Sequence, residues 1–110
     1  MAEMPTPEAP ALPDLEFVVA EDSETELDPP HHVIIHNDDV TPMDFVTMIL
    51  QGIFELTYWD ATAVMIKAHF KGQAVVGTMG LEDAKYKVST AHQRARANQY
   101  PLTFTIEPAE

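Results

Sequence analysis

Residues 31–45 read HHVIIHNDDVTPMDF, and they contain the start of the predicted fold. The first six residues are β-branched in the middle, which predicts a short strand. The Asn-Asp-Asp run at 37–39 predicts a turn, because these side chains can bond to their own backbone. Thr41 suits the N-cap of a helix, and Pro42 suits its first helical position. We therefore predict a strand, a polar turn and a helix in direct succession.

Two helical patterns follow the turn. Apolar residues recur at steps of three and four between Val46 and Phe54, which predicts one face of a helix that ends near Glu55. Thr57 and Asp60 have the spacing of a capping box, which predicts the start of a second helix. The first half of the domain is therefore predicted to be β-α-α.

The second half of the domain adds strands and one more helix. Gly72 suits the end of the second helix, and the β-branched run at 73–79 predicts a strand after it. A third helix is predicted from Gly80 to about Ala97, with Asn98 in a left-handed conformation at its end.

The last predicted element is a strand at residues 101–106, where polar and apolar residues alternate. The complete order is therefore β-α-α-β-α-β. We predict an α+β fold in which a three-stranded antiparallel sheet packs against three helices.

The charge is concentrated in the first thirty residues. The chain has 110 residues and a formal net charge of −12, and residues 1–30 hold nine of its 18 acidic residues but no Lys or Arg. This stretch is also rich in proline, so we predict a disordered acidic tail at 1–30 and one folded domain at 31–110. The apolar island at 15–20 is too short for a secretory signal or a membrane span. The tail could serve only to keep the chain soluble, or it could engage a partner.

The composition also limits the function. Phosphate binding needs a basic patch, so we expect neither nucleic acid nor an anionic membrane surface as a partner. The chain contains no cysteine, which excludes disulfides, thiolate catalysis and Cys-based zinc sites. The sequence signatures of a serine nucleophile and of a phosphate-binding loop are missing too.

Two other chemical interpretations are weaker. Asp38, Asp39 and His69 could form an acid/base set, but adjacent carboxylates in a turn usually point apart. A metal site would need His36 to meet His69 or Asp38, whereas histidines that simply lie on the surface are more common. We therefore predict a protein that is not an enzyme and that has no metal or other cofactor.

One combination of motifs is more specific. The turn and helix start at 37–45 read NDDVTPMDF, Met65 and His69 are four residues apart, and NQYPL stands at 98–102. Taken singly, these motifs are ordinary turn, core and helix-end residues. Together, and with AHFKG at 68–72, they resemble the ClpS family, adaptors that deliver proteins with destabilising N-terminal residues to a Clp unfoldase. The similarity runs from about residue 32 to residue 107.

The resemblance implies a surface pocket that holds the first residue of a peptide. Asn37, Asp38 and His69 would bind the free α-amino group. Asp39 and Thr41 would support the turn and the neighbouring peptide backbone. The side-chain cavity would be lined by Met43, Val46, Met65, Ala68 and Leu102.

Such a site would select chain ends for a chemical reason. An α-ammonium group offers three donors and a positive charge, whereas an internal peptide N–H offers one donor and no charge. The cavity would favour Phe, Tyr, Trp or Leu, with Met43 as a gate against side chains that branch at Cβ. Ala68 is smaller than the aliphatic residue common at this place in the family, so the resemblance leaves open whether Ile and Val are accepted.

The resemblance also implies a protein partner. Glu82 and Lys87 match positions that face the N-terminal domain of the unfoldase, which could be of the ClpA or the ClpC type. We expect a monomer in a bacterial cytoplasm. The alternative is a small protein-interaction module of similar fold, like the C-terminal domain of the ribosomal stalk protein, with no preference for free N-termini.

Overall fold

The computed structural model describes residues 28–109, so the tail predicted at 1–30 lies almost entirely outside the described residues. The helices and strands are β1 (Pro30–His36), α1 (Met43–Gly52), α2 (Tyr58–Lys71), β2 (Gln73–Gly80), α3 (Leu81–Ala97) and β3 (Thr103–Pro108). This is the predicted order β-α-α-β-α-β. Among these elements, no helix combines the length and the apolar character that crossing a membrane requires.

The three strands form one antiparallel sheet with β1 in the middle, in the order β2-β1-β3. At one end of β1, Pro30 pairs with Gly80 of β2. At the other end, His36 pairs with Gln73 of β2 and with Thr103 of β3. The α+β prediction is therefore confirmed, and β1 connects two opposite ends of the domain.

The core lies between the sheet and the helices. Side chains alternate along a strand, so Val33 and Ile35 of β1 point to the same face and join the core. The helices contribute buried residues at helical spacing, namely Val46, Ile49, Leu50, Ala61, Ala68, Ala84, Val88, Ala91 and Ala95. The small alanines of α2 and α3 let these helices approach the sheet closely.

The predicted limits of α2 are confirmed. The hydroxyl of Thr57 accepts a hydrogen bond from the N–H of Asp60 (3.0 Å), so Thr57 is the N-cap. At the other end, Gly72 has a φ of 91°, a left-handed conformation that glycine adopts without steric cost.

The predicted start of α1 is wrong. Thr41 does not cap the helix: its hydroxyl accepts no N–H of the first turn and instead donates to the carboxylate of Asp38, as its own N–H does. Pro42 therefore has an extended backbone (ψ 146°) at the cap position, with no capping side chain, and α1 begins at Met43. The helix ends at Gly52 instead of near Glu55.

Three other predicted boundaries shift by a few residues. Asn98 has a φ of −102°, and the left-handed residue at the end of α3 is Gln99. The strand predicted at 101–106 begins at Thr103, because Pro101 has no N–H for the ladder. The first strand begins at Pro30, inside the stretch assigned to the tail.

Candidate functional site

The turn after β1 is built around the carboxylate of Asp38. One carboxylate oxygen accepts the N–H groups of Val40 (2.8 Å) and Thr41 (2.6 Å), and the other accepts the Thr41 hydroxyl (3.0 Å). Thr41 is buried, so its hydroxyl needs this partner. The turn is therefore held in shape by side-chain bonds that span only two or three residues.

A backbone bond joins the turn to the end of α2. The N–H of Asn37 donates to the carbonyl of Gly72 at 3.0 Å. Gly72 can offer this carbonyl because its left-handed conformation turns the chain directly from α2 into β2. The bond places the last turn of α2, which carries His69, beside the Asn-Asp-Asp turn.

A cleft of about 270 Å³ opens between the turn, the start of α1 and the end of α2. It brings together all the residues to which the resemblance assigned binding roles: Asn37, Asp38, Asp39, Thr41, Met43, Val46, Met65, Ala68, His69 and Leu102. Four further residues line it: Ile35, His36, Val40 and Pro42. Of these four, Val40 and Pro42 lie within the motif at 37–45 and His36 directly precedes it, and that is the signal by which they could have been assigned to the site.

The interior of the cleft is apolar. Val46, Ala68 and Leu102 are buried and form its floor, and Met65 is half-buried beside them. Met43 stands at the rim, where 54% of its surface is exposed. Met43 therefore lies at the opening of the cleft, and the buried residues lie deeper.

The rim carries two polar side chains that form no hydrogen bond to the rest of the described domain. The side chain of Asn37 and the ring of His69 are exposed, and neither forms a hydrogen bond to another residue within 28–109. The ring of Phe70 lies edge-on to the His69 ring, with 5.0 Å between the centroids. The two polar side chains can therefore accept hydrogen bonds from a ligand, while the Asp38 carboxylate is occupied within the turn.

A metal site is not assembled here. His36 lines the cleft together with Asp38 and His69, but its ring bonds to the Thr105 hydroxyl at 2.7 Å. Within residues 28–109, no three side chains of the metal-ligating types come together. The metal hypothesis therefore has no support from the geometry.

The two predicted interface residues lie on α3, away from the cleft. Glu82 and Lys87 are five residues apart, which separates them by about 140° around a helix. The Glu82 side chain is 73% exposed and lies 3.7 Å from Lys85. The Lys87 side chain is only 19% exposed and lies 3.4 Å from Asp83. Both residues therefore lie in the first two turns of α3, and Glu82 is the more exposed of the two.

Comparisons with known proteins identify the family. The family described as ATP-dependent Clp protease adaptor protein ClpS matches residues 26–105. The chain belongs to the ClpS family. Proteins of this family are adaptors of the Clp protease and not enzymes, so the prediction of a non-enzymatic Clp adaptor is confirmed at this level.

Individual relatives agree with the family assignment. The ATP-dependent Clp protease adapter protein ClpS of Vibrio cholerae is 42% identical over 96 residues, which cover 86% of this chain and 91% of the relative. The protein of the same name from Xanthomonas campestris pv. campestris is 43% identical over 94 residues, covering 84% and 89%. Among solved structures, Agrobacterium tumefaciens ClpS2 bound to L-phenylalaninamide is similar with a TM-score of 0.70 and 35% identity. That similarity covers 73% of this chain and 96% of the other.

Proposed function

We propose that this ClpS protein binds other proteins by their N-terminal residue and delivers them to a Clp AAA+ unfoldase. The observation that carries the proposal is the cleft, in which an apolar floor shares one opening with two polar side chains that have no hydrogen-bond partner within residues 28–109. The related ClpS2 was solved with L-phenylalaninamide, which has a free α-amino group next to an aromatic side chain. The same chemistry fits the groups that line this cleft.

The α-amino group would bind at the polar rim. The amide oxygen of Asn37 and one ring nitrogen of His69 are available as acceptors. Asp38 would contribute its backbone carbonyl and the negative charge of its carboxylate, because the carboxylate oxygens already accept bonds from the turn. Asp39 and Thr41 would support the turn and the adjacent peptide backbone. Charge-assisted bonds of this kind contribute more than neutral ones.

The first side chain of the substrate would fill the apolar part of the cleft. Burying a Phe, Tyr, Trp or Leu side chain contributes on the order of 1.5–3 kcal/mol. The buried residues Val46, Ala68 and Leu102 would contact its far end, and Met65 its flank. The cavity is large enough for one side chain and small enough to exclude most of the peptide.

Met43 would act as the gate of this cavity. At the rim it would lie next to the Cβ of the entering residue, where a β-branched side chain is widest. We expect Met43→Ala to increase the affinity for Ile- and Val-starting peptides at least about tenfold, which corresponds to 1.4 kcal/mol. An affinity profile across first residues that is unchanged in this variant would remove Met43 from this role.

The test of the function is a titration of peptides that differ only at the N-terminus. Fluorescence anisotropy should show binding of Phe- and Leu-starting peptides and a loss of at least about a hundredfold after N-acetylation, since the amino group carries the charge and the donors. Asn37→Ala and His69→Ala should weaken binding of the free peptide. His31→Ala is the matched control, because His31 lies at the other end of β1.

Two results would contradict the proposal. Equal binding of free and acetylated peptides would exclude recognition of the α-amino group. Binding that does not depend on the first residue would favour the alternative, an interaction module of similar fold without N-terminal specificity.

Delivery of the bound substrate to the unfoldase would involve the end of the domain opposite the cleft. We propose that Glu82 and Lys87 contact the N-terminal domain of the unfoldase, which could be of the ClpA or ClpC type, with ClpS acting as a monomer in a bacterial cytoplasm. The acidic segment before residue 28 would be offered to the unfoldase. Deletion of residues 1–27 should leave peptide affinity unchanged and slow Clp-dependent degradation of a Phe-starting substrate. Loss of peptide affinity in the truncated protein would contradict this division.

A further inference from the structure

Helix α2 carries an apolar stripe on the side that faces away from the core. The stripe consists of Trp59, Ala63, Ile66 and Phe70, whose spacing of four, three and four residues puts them on one helical face. The ring of Trp59 is 76% exposed and that of Phe70 is 78% exposed. A continuous apolar face of this size on a small domain normally has something that covers it.

Two lysines and one aspartate, Asp60, flank the stripe on one side of α2 and give that flank a net positive charge. Lys67 and Lys71 each follow a stripe residue directly in the sequence, so each lies about 100° around the helix from it. Both lysines are exposed. A segment that covers the stripe would therefore be favoured if it combined apolar side chains with acidic ones.

The segment before residue 28 has this composition at one place only. Residues 15–20 read LEFVVA and contain the only Phe and the only Val residues before residue 28. Acidic residues surround and interrupt the run: Asp14, Glu16, Glu21, Asp22, Glu24 and Glu26. The apolar residues could pack against the stripe, and the flanking acidic residues could pair with the two lysines.

The point where this segment leaves the domain is fixed by Asp28. The Asp28 carboxylate accepts the N–H of Glu82 at 2.7 Å, and the carbonyl of Pro29 accepts the N–H of Leu81 at 3.1 Å. A side chain at Gly80 would collide with the Asp28 carboxylate, so the glycine makes room for this contact. The chain thus enters the described domain at the N-terminus of α3.

The chain length between residue 20 and the start of the described domain is compatible with docking on the stripe. Helix α2 runs antiparallel to β2, to which Gly72 connects it, so Trp59 lies toward the end of the sheet where Gly80 pairs with Pro30. The seven residues between Ala20 and Asp28 give eight Cα–Cα steps, which can span at most about 28 Å. Six extended residues measure about 20 Å, and the stripe from Trp59 to Phe70 is about 17 Å long.

We propose that residues 15–20 of the same chain dock on the apolar stripe of α2, with their acidic neighbours against Lys67 and Lys71. The docked segment covers the exposed rings and holds the acidic arm against the adaptor. Phe70 touches the ring of His69, but none of the four stripe residues lines the cleft. The proposal therefore does not depend on N-terminal recognition.

Trp59 is the only tryptophan in the chain, which makes the stripe directly observable. The experiment measures tryptophan emission and acrylamide quenching of the full chain. The variant Phe17→Asp/Val19→Asp should shift the emission to longer wavelength and raise the quenching constant about twofold, because the covered ring becomes exposed. The matched control Met4→Asp/Leu12→Asp adds the same charge outside the island and should behave like the unsubstituted chain.

Further variants test the two halves of the interaction. Ile66→Ser/Phe70→Ser changes only exposed side chains and should raise the quenching constant in the same way as the island variant. Lys67→Gln/Lys71→Gln should give a smaller increase, and so should raising the salt concentration from about 0.1 M to about 1 M. No change in the lysine variant would overturn the role given to the charges.

Two outcomes would overturn the docking itself. Emission and quenching that are the same in the unsubstituted chain and in the island variant would show that residues 15–20 do not cover Trp59. Quenching that increases on dilution of the unsubstituted chain would show that a second copy covers the stripe instead. In that case size-exclusion chromatography with light scattering would detect a dimer.

Discussion

The two ends of β1 each carry an aspartate that uses its carboxylate to bind backbone N–H groups. Asp38, beyond the C-terminal end of the strand, bonds to Val40 and Thr41 within its own turn. Asp28, before the N-terminal end, bonds to Glu82, which is 54 residues away in the sequence. The chemistry is the same, but one bond shapes a loop and the other joins two distant segments.

One aspartate bonds to residues of its own turn and the other to a residue far away in the sequence, so the two ends of β1 have different structural roles. The local bonds at the C-terminal end of β1 fix a turn that leaves polar side chains free at the rim of a cleft. The remote bond at the N-terminal end fixes where the acidic segment joins the domain. Seven residues of strand, about 20 Å, lie between the two. A change at one end should therefore leave the other unaffected, and this independence can be tested.

The largest effect is expected from Asp38→Ala. The substitution removes the acceptor of three hydrogen bonds and leaves the buried Thr41 without a partner, which costs about 1–3 kcal/mol of unfolding free energy. We also expect a loss of at least about tenfold in the affinity for a Phe-starting peptide, because the turn that presents Asn37 loses its shape. Urea unfolding and fluorescence anisotropy measure the two quantities.

Two controls sharpen this first test. Asp38→Asn keeps an acceptor for the backbone N–H groups and should retain most of the stability. Asp28→Ala should change peptide affinity by less than about twofold. This is well below the tenfold change that corresponds to 1.4 kcal/mol. If Asp28→Ala weakened peptide binding as much as Asp38→Ala, the two ends would not be independent.

A histidine on α3 also accepts a backbone N–H through its side chain. The Nε2 atom of His92 accepts the N–H of Phe104 in β3 at 2.9 Å. The pKa of His92 is lowered, first by burial and second by the charge of Arg96. His92→Leu should lower the free energy of unfolding by about 1–3 kcal/mol, because the Phe104 N–H loses its acceptor.

The lowered pKa also predicts a pH dependence. Between the pKa of His92 in the folded protein and the ordinary histidine value of about 6.5, the unfolded chain binds more protons than the folded one. The free energy of unfolding should therefore rise with pH through this window and fall as the solution is acidified. His92→Gln keeps an acceptor but cannot titrate, so its unfolding should depend less on pH. An equal pH dependence in both proteins would exclude His92 as a source of it.

The smallest effect is expected at the remote end. Asp28→Ala removes the side chain that binds the first turn of α3 and should cost about 1 kcal/mol, as the loss of a helix cap usually does. Gly80→Ala should have a similar effect, because a Cβ there would displace the Asp28 carboxylate. Urea unfolding of both variants and of the double variant checks this, since the two effects should not add if they break the same contact.

Much of the domain could be predicted from sequence because the determining interactions are local. Thr57 caps α2 through a residue three positions away, and Gly72 ends it through its own conformation. The contact of Asp28 with Glu82 could not be predicted in this way, because nothing in either sequence neighbourhood points to the other.

The errors came from places where two local structures compete. Thr41 could have capped α1, but the Asp38 carboxylate takes its N–H and hydroxyl first. Asn98 was expected to be left-handed, but Gln99 adopts that conformation, and the N–H of Tyr100 bonds back to the carbonyl of Ala95. In both cases the sequence allows two bonding patterns, and the packing of neighbouring elements selects one.

The members of the candidate site could be named from the motif, but their convergence could not be derived from spacing. His69 reaches the turn only because the N–H of Asn37 bonds to Gly72. The angle between Glu82 and Lys87, by contrast, follows from spacing, since residues five apart on a helix lie about 140° apart around its axis. That fact was available in the sequence alone.

The position of β1 in the sheet determines how the domain would respond to mechanical force. His31 of β1 pairs with Pro108 of β3, so the two ends of the described chain lie side by side. A pull between Pro30 and Pro108 would open the β1–β3 ladder one hydrogen bond at a time. A pull between Pro30 and Thr103 would load the same ladder along its length, so that its bonds would have to break together. The same set of hydrogen bonds is therefore weak in one direction and strong in the other.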